Sequence, residues 1–493
     1  MHINYKVYIK ILGFLTAIVG LGMLMCSAVG MFFGEWTASG ALLITSLVCI
    51  AIGFVILTQL RFRKINLRFH EGWLIACMSW VYCSLLGAVP FYFGGMDYTI
   101  IGSFFEAVAG FTTTGCSVFD INQMPKCLAL WKAVASWFGG MGILVFVVSV
   151  FPALGISGQS IASAETTGPT IAKLDAKYAD TGKFLYLVYL AFTVVEFILL
   201  IIGPLDWYDA LITTFSSVST GGLVITSENE ALFTSTYVRM VVLVFTVLSS
   251  LNFCSYFLIR QKRFKEALLN IETRIFFIII GIATTMIALC LKFTGTYSSL
   301  WQAVKDSLCQ VTAFIATSGY YVCDYTKWPT FAVVILFTLL FIGGCSMSTS
   351  GSMKVIRFVV FLKLIKRGIF RQIHPRAVKA VVVDGEAVPA DKVSAITTHI
   401  LLYFGVFFFS CIMLSFNNFD METTITTAIG FFSNTGMAMG EAGCTGYFGM
   451  FSQFSQFFLS LLMIMGRLEM YAVLLLFSKS FWRLDSAKSV LIF

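Results

Sequence analysis

The chain has 493 residues, yet 58% are hydrophobic, only 12% are charged, and the mean hydropathy is +0.88. A globular chain in water carries about 25% charged residues, so this one lacks the polar surface for an aqueous fold and its solvent is largely lipid. Soluble enzymes, disordered proteins and nucleic-acid binders are excluded, and the net charge of +8 becomes a question of membrane topology.

In chain order, Lys6 and Lys10 precede an apolar run from about Ile11 to Phe33. It is too long for a signal-peptide core and lacks a clear cleavage site, so it predicts a retained first span. A helix crossing the hydrocarbon needs about 20 apolar residues. Stretches of that length fall at 8–33, 41–60, 72–93, 130–151, 183–203, 237–259, 274–294, 329–349, 396–416 and 451–478. Four shorter apolar stretches lie between them, at 98–111, 207–218, 300–316 and 420–433. Half-length segments at membrane depth persist only when buried in protein or lining a water-filled path.

Lys and Arg accumulate in cytoplasmic loops. With the N-terminus inside, the cytoplasmic face takes Arg61, Arg63, Lys64 and Arg68, then Arg260, Lys262, Arg263 and Lys265. It also takes Lys354, Arg357, Lys363, Lys366, Arg367, Arg371, Lys479, Arg483 and Lys488. The outer loops are then net acidic, and a negative outer face concentrates cations; the alternative is topogenic bias alone, which accounts for the inner positive charges but not for the outer acids. The 13 cysteines include no CxxC pair and there are four histidines, so neither a metal cluster nor a haem site is expected. Cys49, Cys77, Cys254, Cys290 and Cys411 sit in apolar runs and read as small buried hydrophobes.

Each short stretch ends in hydroxyls and glycine: Phe111-Thr112-Thr113-Thr114-Gly115, Ser217-Val218-Ser219-Thr220-Gly221, Ile315-Ala316-Thr317-Ser318-Gly319 and Phe432-Ser433-Asn434-Thr435-Gly436. One Thr-Gly means little; four at near-constant spacing, each between two spans, define a repeat. An extended backbone there can aim carbonyl oxygens at an axis and replace a cation's hydration shell. Glycine permits the required backbone without a Cβ clash, and oxygen-only ligation suits a hard cation. The candidate cation ligands are Thr113, Thr114, Gly115, Ser219, Thr220, Gly221, Thr317, Ser318, Gly319, Asn434, Thr435 and Gly436. The alternative, helix-packing glycine, suits Gly139, Gly140 and Gly142 better.

The strings FFEAVAGFTTTGCSVF (104–119), WFGGMGILVF (137–146), FSSVSTGG (215–222), FIGGCSMSTSGSMKVIRF (341–358), HPRAVKAVVVDGEAVP (374–389), FFSNTGMAMG (431–440) and MGRLEMYAVLLLF (465–477) resemble the Trk/Ktr/HKT superfamily of potassium transporters, and most its bacterial Trk branch. The resemblance covers nearly the whole chain. It implies an all-α polytopic membrane protein, with two N-terminal helices and four fused helix–pore-loop–helix repeats in pseudo-fourfold arrangement around a central pore. The implied segments are 1–69, the repeats 70–152, 153–265 and 266–373, a cytoplasmic linker 374–392, and the repeat 393–493. Potassium uptake, with Rb⁺ also carried, is implied, as are a homodimer and the bacterial inner membrane. Family members with Ser at the first filter glycine tend to pass Na⁺, so Gly115 implies K⁺; a Na⁺-permeable or Na⁺-coupled member is the alternative.

Three further features carry over. Gly343, Gly344, Cys345, Ser346, Met347, Ser348, Thr349, Ser350, Gly351 and Ser352 interrupt an apolar helix; the family's matching segment is an intramembrane gate, the alternative a helix kink. Arg467 stands mid-span, where a charge is costly unless it meets water or a partner. The resemblance puts it in the permeation path; the alternative is an ion pair with Glu196 or Glu469. Val381–Val388 around Asp384-Gly385 reads as a two-strand hairpin with a two-residue turn. The family docks a ring of TrkA-type regulatory subunits that bind NAD or adenine nucleotides on this face. No phosphate-binding fingerprint occurs in the chain, so no cofactor is expected in it, and no catalytic cluster marks an enzyme.

Overall fold

The computed structural model describes residues 5–60, 65–66, 69–95, 98–120, 123–142, 156–157, 178–222, 235–377, 380–443 and 447–479. The charges predicted for the cytoplasmic face at Arg61, Arg63, Lys64, Arg68, Arg483 and Lys488, and the end of the span at 130–151, lie outside the described residues.

Two long helices, α1 (Tyr5–Phe32) and α2 (Trp36–Gln59), open the chain as a hairpin. Small residues let them approach closely: a Cβ on Gly53 would stand 2.7 Å from the Gly13 carbonyl oxygen. Ser27 and Ser39 donate hydrogen bonds to each other's carbonyls at 2.9 and 2.7 Å. Four units follow. The first is α3 (Phe69–Phe93), the short α4 (Ile100–Phe111) and α5 (Lys126–Gly140). The second is α6 (Tyr178–Ile202), the short α7 (Trp207–Val218), α8 (Thr236–Ser250) and α9 (Phe253–Arg260); α10 (Phe264–Leu268) links onward. The third is α11 (Ile271–Phe293), the short α12 (Leu300–Ile315), α13 (Thr330–Ile342) and α14 (Val355–Ile373). The fourth is α15 (Ala390–Leu414), the short α16 (Met421–Phe432), α17 (Gln453–Arg467) and α18 (Tyr471–Leu476).

The units close on one another in a ring. Each short helix packs within its own unit and also on the second helix of the unit before it: α7 on α5, α12 on α8, α16 on α13, and α4 on α17. That cyclic order brings the ends of all four short helices to one centre. Their tips are fully buried: Phe111, Val218, Ile315 and Phe432 are each 0% exposed. The outer faces of the long helices carry exposed Leu, Ile, Val and Phe, as a lipid-facing surface requires.

Six helices among the described residues are long and apolar enough to cross a membrane: the N-terminal pair and the first helix of each unit. The second helices differ from the sequence expectation of continuous spans. The stretch at 237–259 is two helices bent by 87° at Leu251-Asn252. The stretch at 329–349 ends as helix at Ile342. The stretch at 451–478 breaks after Arg467, with Glu469 and Met470 at φ 56° and 60°. Helix α5 ends at Gly140. Hydropathy averages across such breaks, because the residues at them remain apolar enough to count.

The expected hairpin is present: β3 (Val382–Val383) pairs antiparallel with β4 (Glu386–Ala387) across Asp384 and Gly385, both with positive φ. A second pair was not foreseen: β1 (Ile65–Asn66) runs parallel to β2 (Ile156–Ser157). A two-residue ladder is too short to leave a period in the sequence.

Glu35, in the turn between α1 and α2, fixes the N-terminal hairpin to the first unit. Its carboxylate accepts from the Lys126 and Cys127 N–H groups at 2.7 and 2.9 Å, capping α5 from outside its own chain segment. Glu35→Ala is expected to cost about 1–2 kcal/mol and to lower the melting temperature of the detergent-solubilised protein; an unchanged melting curve contradicts this role.

Candidate functional site

The four short helices end in one motif. In the first, the N–H of Thr113 donates to Gly110 O (3.0 Å) and that of Thr114 to Ala109 O (2.9 Å). Thr220 and Gly221 donate likewise to Ser217 and Ser216, Thr317 and Ser318 to Phe314 and Ala313, and Asn434 and Thr435 to Phe431 and Gly430, all at 2.7–3.2 Å. These paired 5→2 and 6→1 bonds are the Schellman cap, whose first residue beyond the cap is left-handed and usually glycine. Here it is Thr113 (φ 57°), Thr220 (54°), Thr317 (51°) and Asn434 (58°). Left-handed β-branched residues are strained by about 1–3 kcal/mol each, and such strain gathers at functional sites. Each of these side chains has a specific partner.

The motif also sets the register. Counting from the left-handed residue, Gly115, Gly222, Gly319 and Gly436 are equivalent. Sequence spacing had aligned Gly221 with Gly115; the structure moves the second strand by one residue, so Gly221 matches Thr114, Ser318 and Thr435. The four equivalent glycines meet. A Cβ on Gly115 would lie 2.6 Å from Gly222 O, one on Gly222 1.5 Å from Ser318 O, one on Gly319 2.5 Å from Thr435 O, and one on Gly436 2.7 Å from Gly115 N. The contacts run from unit to unit and return to the first, so side chains are excluded where the four backbones converge.

Beneath this ring lie the predicted interruption and Arg467. Residues Gly343–Lys354 are non-helical between α13 and α14. The loop satisfies the broken end of α8: Cys345 N–H donates to Ser250 O (3.0 Å), and Thr349 donates to Ser249 O through its N–H (3.2 Å) and hydroxyl (3.1 Å). Glu272 on α11 accepts from Ser346 N–H (2.6 Å) and Oγ (2.9 Å). Buried Lys354 folds back on the loop to bond Ser350 O. From above, Thr317 Oγ1 accepts from Gly351 N–H at 2.6 Å, and Thr220 Oγ1 donates to Thr349 Oγ1 at 3.2 Å. Two of the four left-handed side chains thus hold the loop.

A third holds Arg467. Its guanidinium donates to Thr113 Oγ1 (3.3 Å), Thr349 O (2.7 Å), Gly140 O (2.7 Å) and Gly139 O. Gly139 and Gly140 are the last residues of α5, where unpaired carbonyls and the helix dipole favour a cation. The acids considered as partners are engaged elsewhere. Glu469 pairs with Arg357 on α14, and Glu196 accepts from Ser217 Oγ. The fourth left-handed side chain, Asn434, donates to Met463 O (2.9 Å) and Thr114 Oγ1 (3.2 Å).

Sequence reasoning missed the groups that hold the strands from behind. Glu106 on α4 and Lys132 on α5 form a fully buried ion pair. Glu106 Oε1 accepts from Ser117 Oγ (2.6 Å) and Val118 N–H (2.7 Å), and Lys132 donates to Cys116 O (2.6 Å). The signal available was two opposite charges in apolar segments. Chemically, the centre offers backbone carbonyls, hydroxyls and one amide. Among the described residues no group of three or more His, Cys, Asp or Glu is placed to hold a metal. Oxygen donors of this kind suit a hard cation rather than a transition metal.

Comparisons with known proteins find relatives along nearly the whole chain. The profile of the TrkH family, described as a cation transport protein, matches residues 38–489. The chain is 30% identical over 487 residues to the Trk system potassium uptake protein TrkG of Escherichia coli, covering 97% of this chain and 99% of that one. It is 29% identical over 486 residues to the TrkH protein of Halomonas elongata, covering 97% and 100%. The crystal structure of the potassium transporter TrkH from Vibrio parahaemolyticus superposes with a TM-score of 0.85 at 28% identity, covering 97% and 100%.

Thr317→Gly keeps a residue suited to positive φ but removes the acceptor of the Gly351 N–H. Losing a buried hydrogen bond costs about 1–3 kcal/mol, which loosens the loop holding buried Cys345. Maleimide labelling of Cys345, read by peptide mass spectrometry, is expected to accelerate about tenfold; wild-type labelling would show that Thr317 does not hold the loop.

Proposed function

The chain belongs to the TrkH family of cation transport proteins, and from that premise we propose that it takes up potassium across the bacterial inner membrane through a filter of backbone carbonyls. The convergence of Gly115, Gly222, Gly319 and Gly436 carries the reading. Four short segments, each leaving the C-terminal end of a short helix, bring backbone oxygens and helix dipoles to one point, where they replace an ion's hydration shell. Oxygen ligands without a carboxylate suit K⁺ and Rb⁺, and the Halomonas elongata and Escherichia coli relatives are potassium uptake proteins by name. The strand residues proposed as ligands are those of the sequence analysis, with Gly222 joining Gly221.

The loop Gly343–Ser352 and Arg467 form the gate in this reading. They lie directly under the strands and are tied to them by Thr113, Thr220 and Thr317. A guanidinium held there repels a cation leaving the strands, and moving the loop is what opens the path. The cytoplasmic hairpin is placed to bias that loop. Asp384 accepts from Ile271 N–H at 2.9 Å, and the next residue, Glu272, holds Ser346. A nucleotide-binding ring docked on this face would act through that connection. The N-terminus is proposed to be cytoplasmic, the protein a homodimer, and the four pore repeats 70–152, 153–265, 266–373 and 393–493.

The test is radioactive rubidium uptake into liposomes holding the purified chain. Excess K⁺ is expected to block uptake and Na⁺ not to. Gly115→Ser pushes a side chain against Gly222 O and is expected to relax that preference. Arg467→Ala is expected to raise basal flux on the order of tenfold. Uptake indifferent to all three contradicts the filter and the barrier.

A further inference from the structure

Sequence and structure together show an internal equivalence finer than the four strands. The offset that carries Gly115 onto Gly319 also carries Pro125, before α5, onto Pro329, before α13, and Gly139-Gly140 onto Gly343-Gly344. Under it, Glu106 falls on Gln310, Lys132 on Leu336, Cys116 on Tyr320 and Val118 on Val322. The hydrogen bonds follow the same map. In the first unit Val118 N–H donates to Glu106 Oε1 and Lys132 Nζ donates to Cys116 O. In the third, Val322 N–H donates to Gln310 Oε1 (3.3 Å) and Gln310 Nε2 donates to Tyr320 O (3.4 Å). One neutral amide therefore performs the two tasks that a carboxylate and an ammonium share in the first unit, and Leu336, 0% exposed, fills the place of the lysine.

We propose that Glu106 with Lys132, and Gln310 alone, are positioning residues that set ion selectivity by clamping the strand just beyond the filter glycine in the first and third units. The assignment rests on the filter reading above. The clamped groups are the carbonyl directly after the glycine and the N–H two residues further on. Fixing both ends of that short segment fixes the path on which the strand leaves the filter glycine. In the first unit the one carbonyl between them, Ser117 O, is itself held by Phe448 N–H at 2.7 Å, so the clamp acts on the glycine's own backbone. The first and third units lie opposite each other in the cyclic packing order, so the clamps hold facing walls. The fourth unit uses a shorter device: Met439 N–H, the counterpart of Val118 N–H, donates to Thr426 Oγ1 at 2.9 Å.

A clamp and a merely stabilising ion pair differ in what repairs their loss. Removing either charge leaves the other buried and unpaired, which is strongly destabilising. Glu106→Gln with Lys132→Leu together transplants the third unit's solution into the first. The experiment is rubidium uptake by the full-length protein in liposomes, competed by K⁺ or Na⁺, with melting temperature and monodispersity recorded for every variant. The preference for K⁺ over Na⁺ is expected to fall about tenfold in Glu106→Gln, Lys132→Leu and Gln310→Ala. In the Glu106→Gln/Lys132→Leu pair it is expected to return to within about twofold of wild type. Single variants that keep wild-type preference overturn the proposal, and so does a well-folded double variant no more selective than the singles. Where a single variant is not monodisperse, the selectivity of the double variant and of the reciprocal pair Gln310→Glu/Leu336→Lys decides alone. A wild-type protein without K⁺ preference overturns the filter reading itself, before any variant is compared.

Discussion

Everything in this structure hangs on four residues forced into the left-handed conformation at the ends of four short helices. Thr113, Thr220, Thr317 and Asn434 reverse the chain at the one depth where the helices converge. Glycine would take that conformation without strain. A side chain is retained at all four positions because it does something glycine cannot: one holds the Arg467 guanidinium, two hold the interrupting loop, and one holds the carbonyl of Met463 on α17. The same turn that starts each strand thus also fastens what lies beneath it.

The second constraint is where the second helices stop. Helices α5, α8, α13 and α17 all end before a full crossing, and each end leaves carbonyls without an intrahelical partner. Those of α5 receive Arg467, and those of α8 receive the Cys345 and Thr349 N–H groups. The charge and the loop therefore belong to the helix ends they meet. They satisfy backbone groups that the breaks expose, in a medium where unsatisfied groups cost several kcal/mol. In the proposed gate, opening has to offer those carbonyls water or another donor, which would tie movement of the loop to hydration of the centre.

Much of this was legible in the sequence. The short apolar segments, the hydroxyl-glycine turns, the Gly- and Ser-rich interruption at 343–352 and the buried Arg467 are local patterns, and local patterns survive in one dimension. What was not legible is relational. The doublet Gly221-Gly222 gives two equally good alignments, and only the folded turn, with Thr220 left-handed and the Thr220 and Gly221 N–H groups on Ser217 O and Ser216 O, selects one. The breaks at Leu251-Asn252 and after Arg467 carry no glycine or proline at the bend itself and pass as continuous span. The Glu106–Lys132 pair joins residues on different helices, and neither charge has a neighbour in sequence that announces the other. The hairpin at Asp384-Gly385 was readable because its turn chemistry is local; its bond to the start of α11 was not.

The central claim is that a cation is bound by backbone oxygens where Gly115, Gly222, Gly319 and Gly436 converge. Anomalous diffraction from crystals of the protein grown in Rb⁺ tests it most directly. The account predicts an anomalous peak on the axis of the four short helices, at the level of the strands and above Arg467. Crystals diffracting well enough to show the Met and Cys sulfurs, but with no peak inside the ring of four strands, would contradict it.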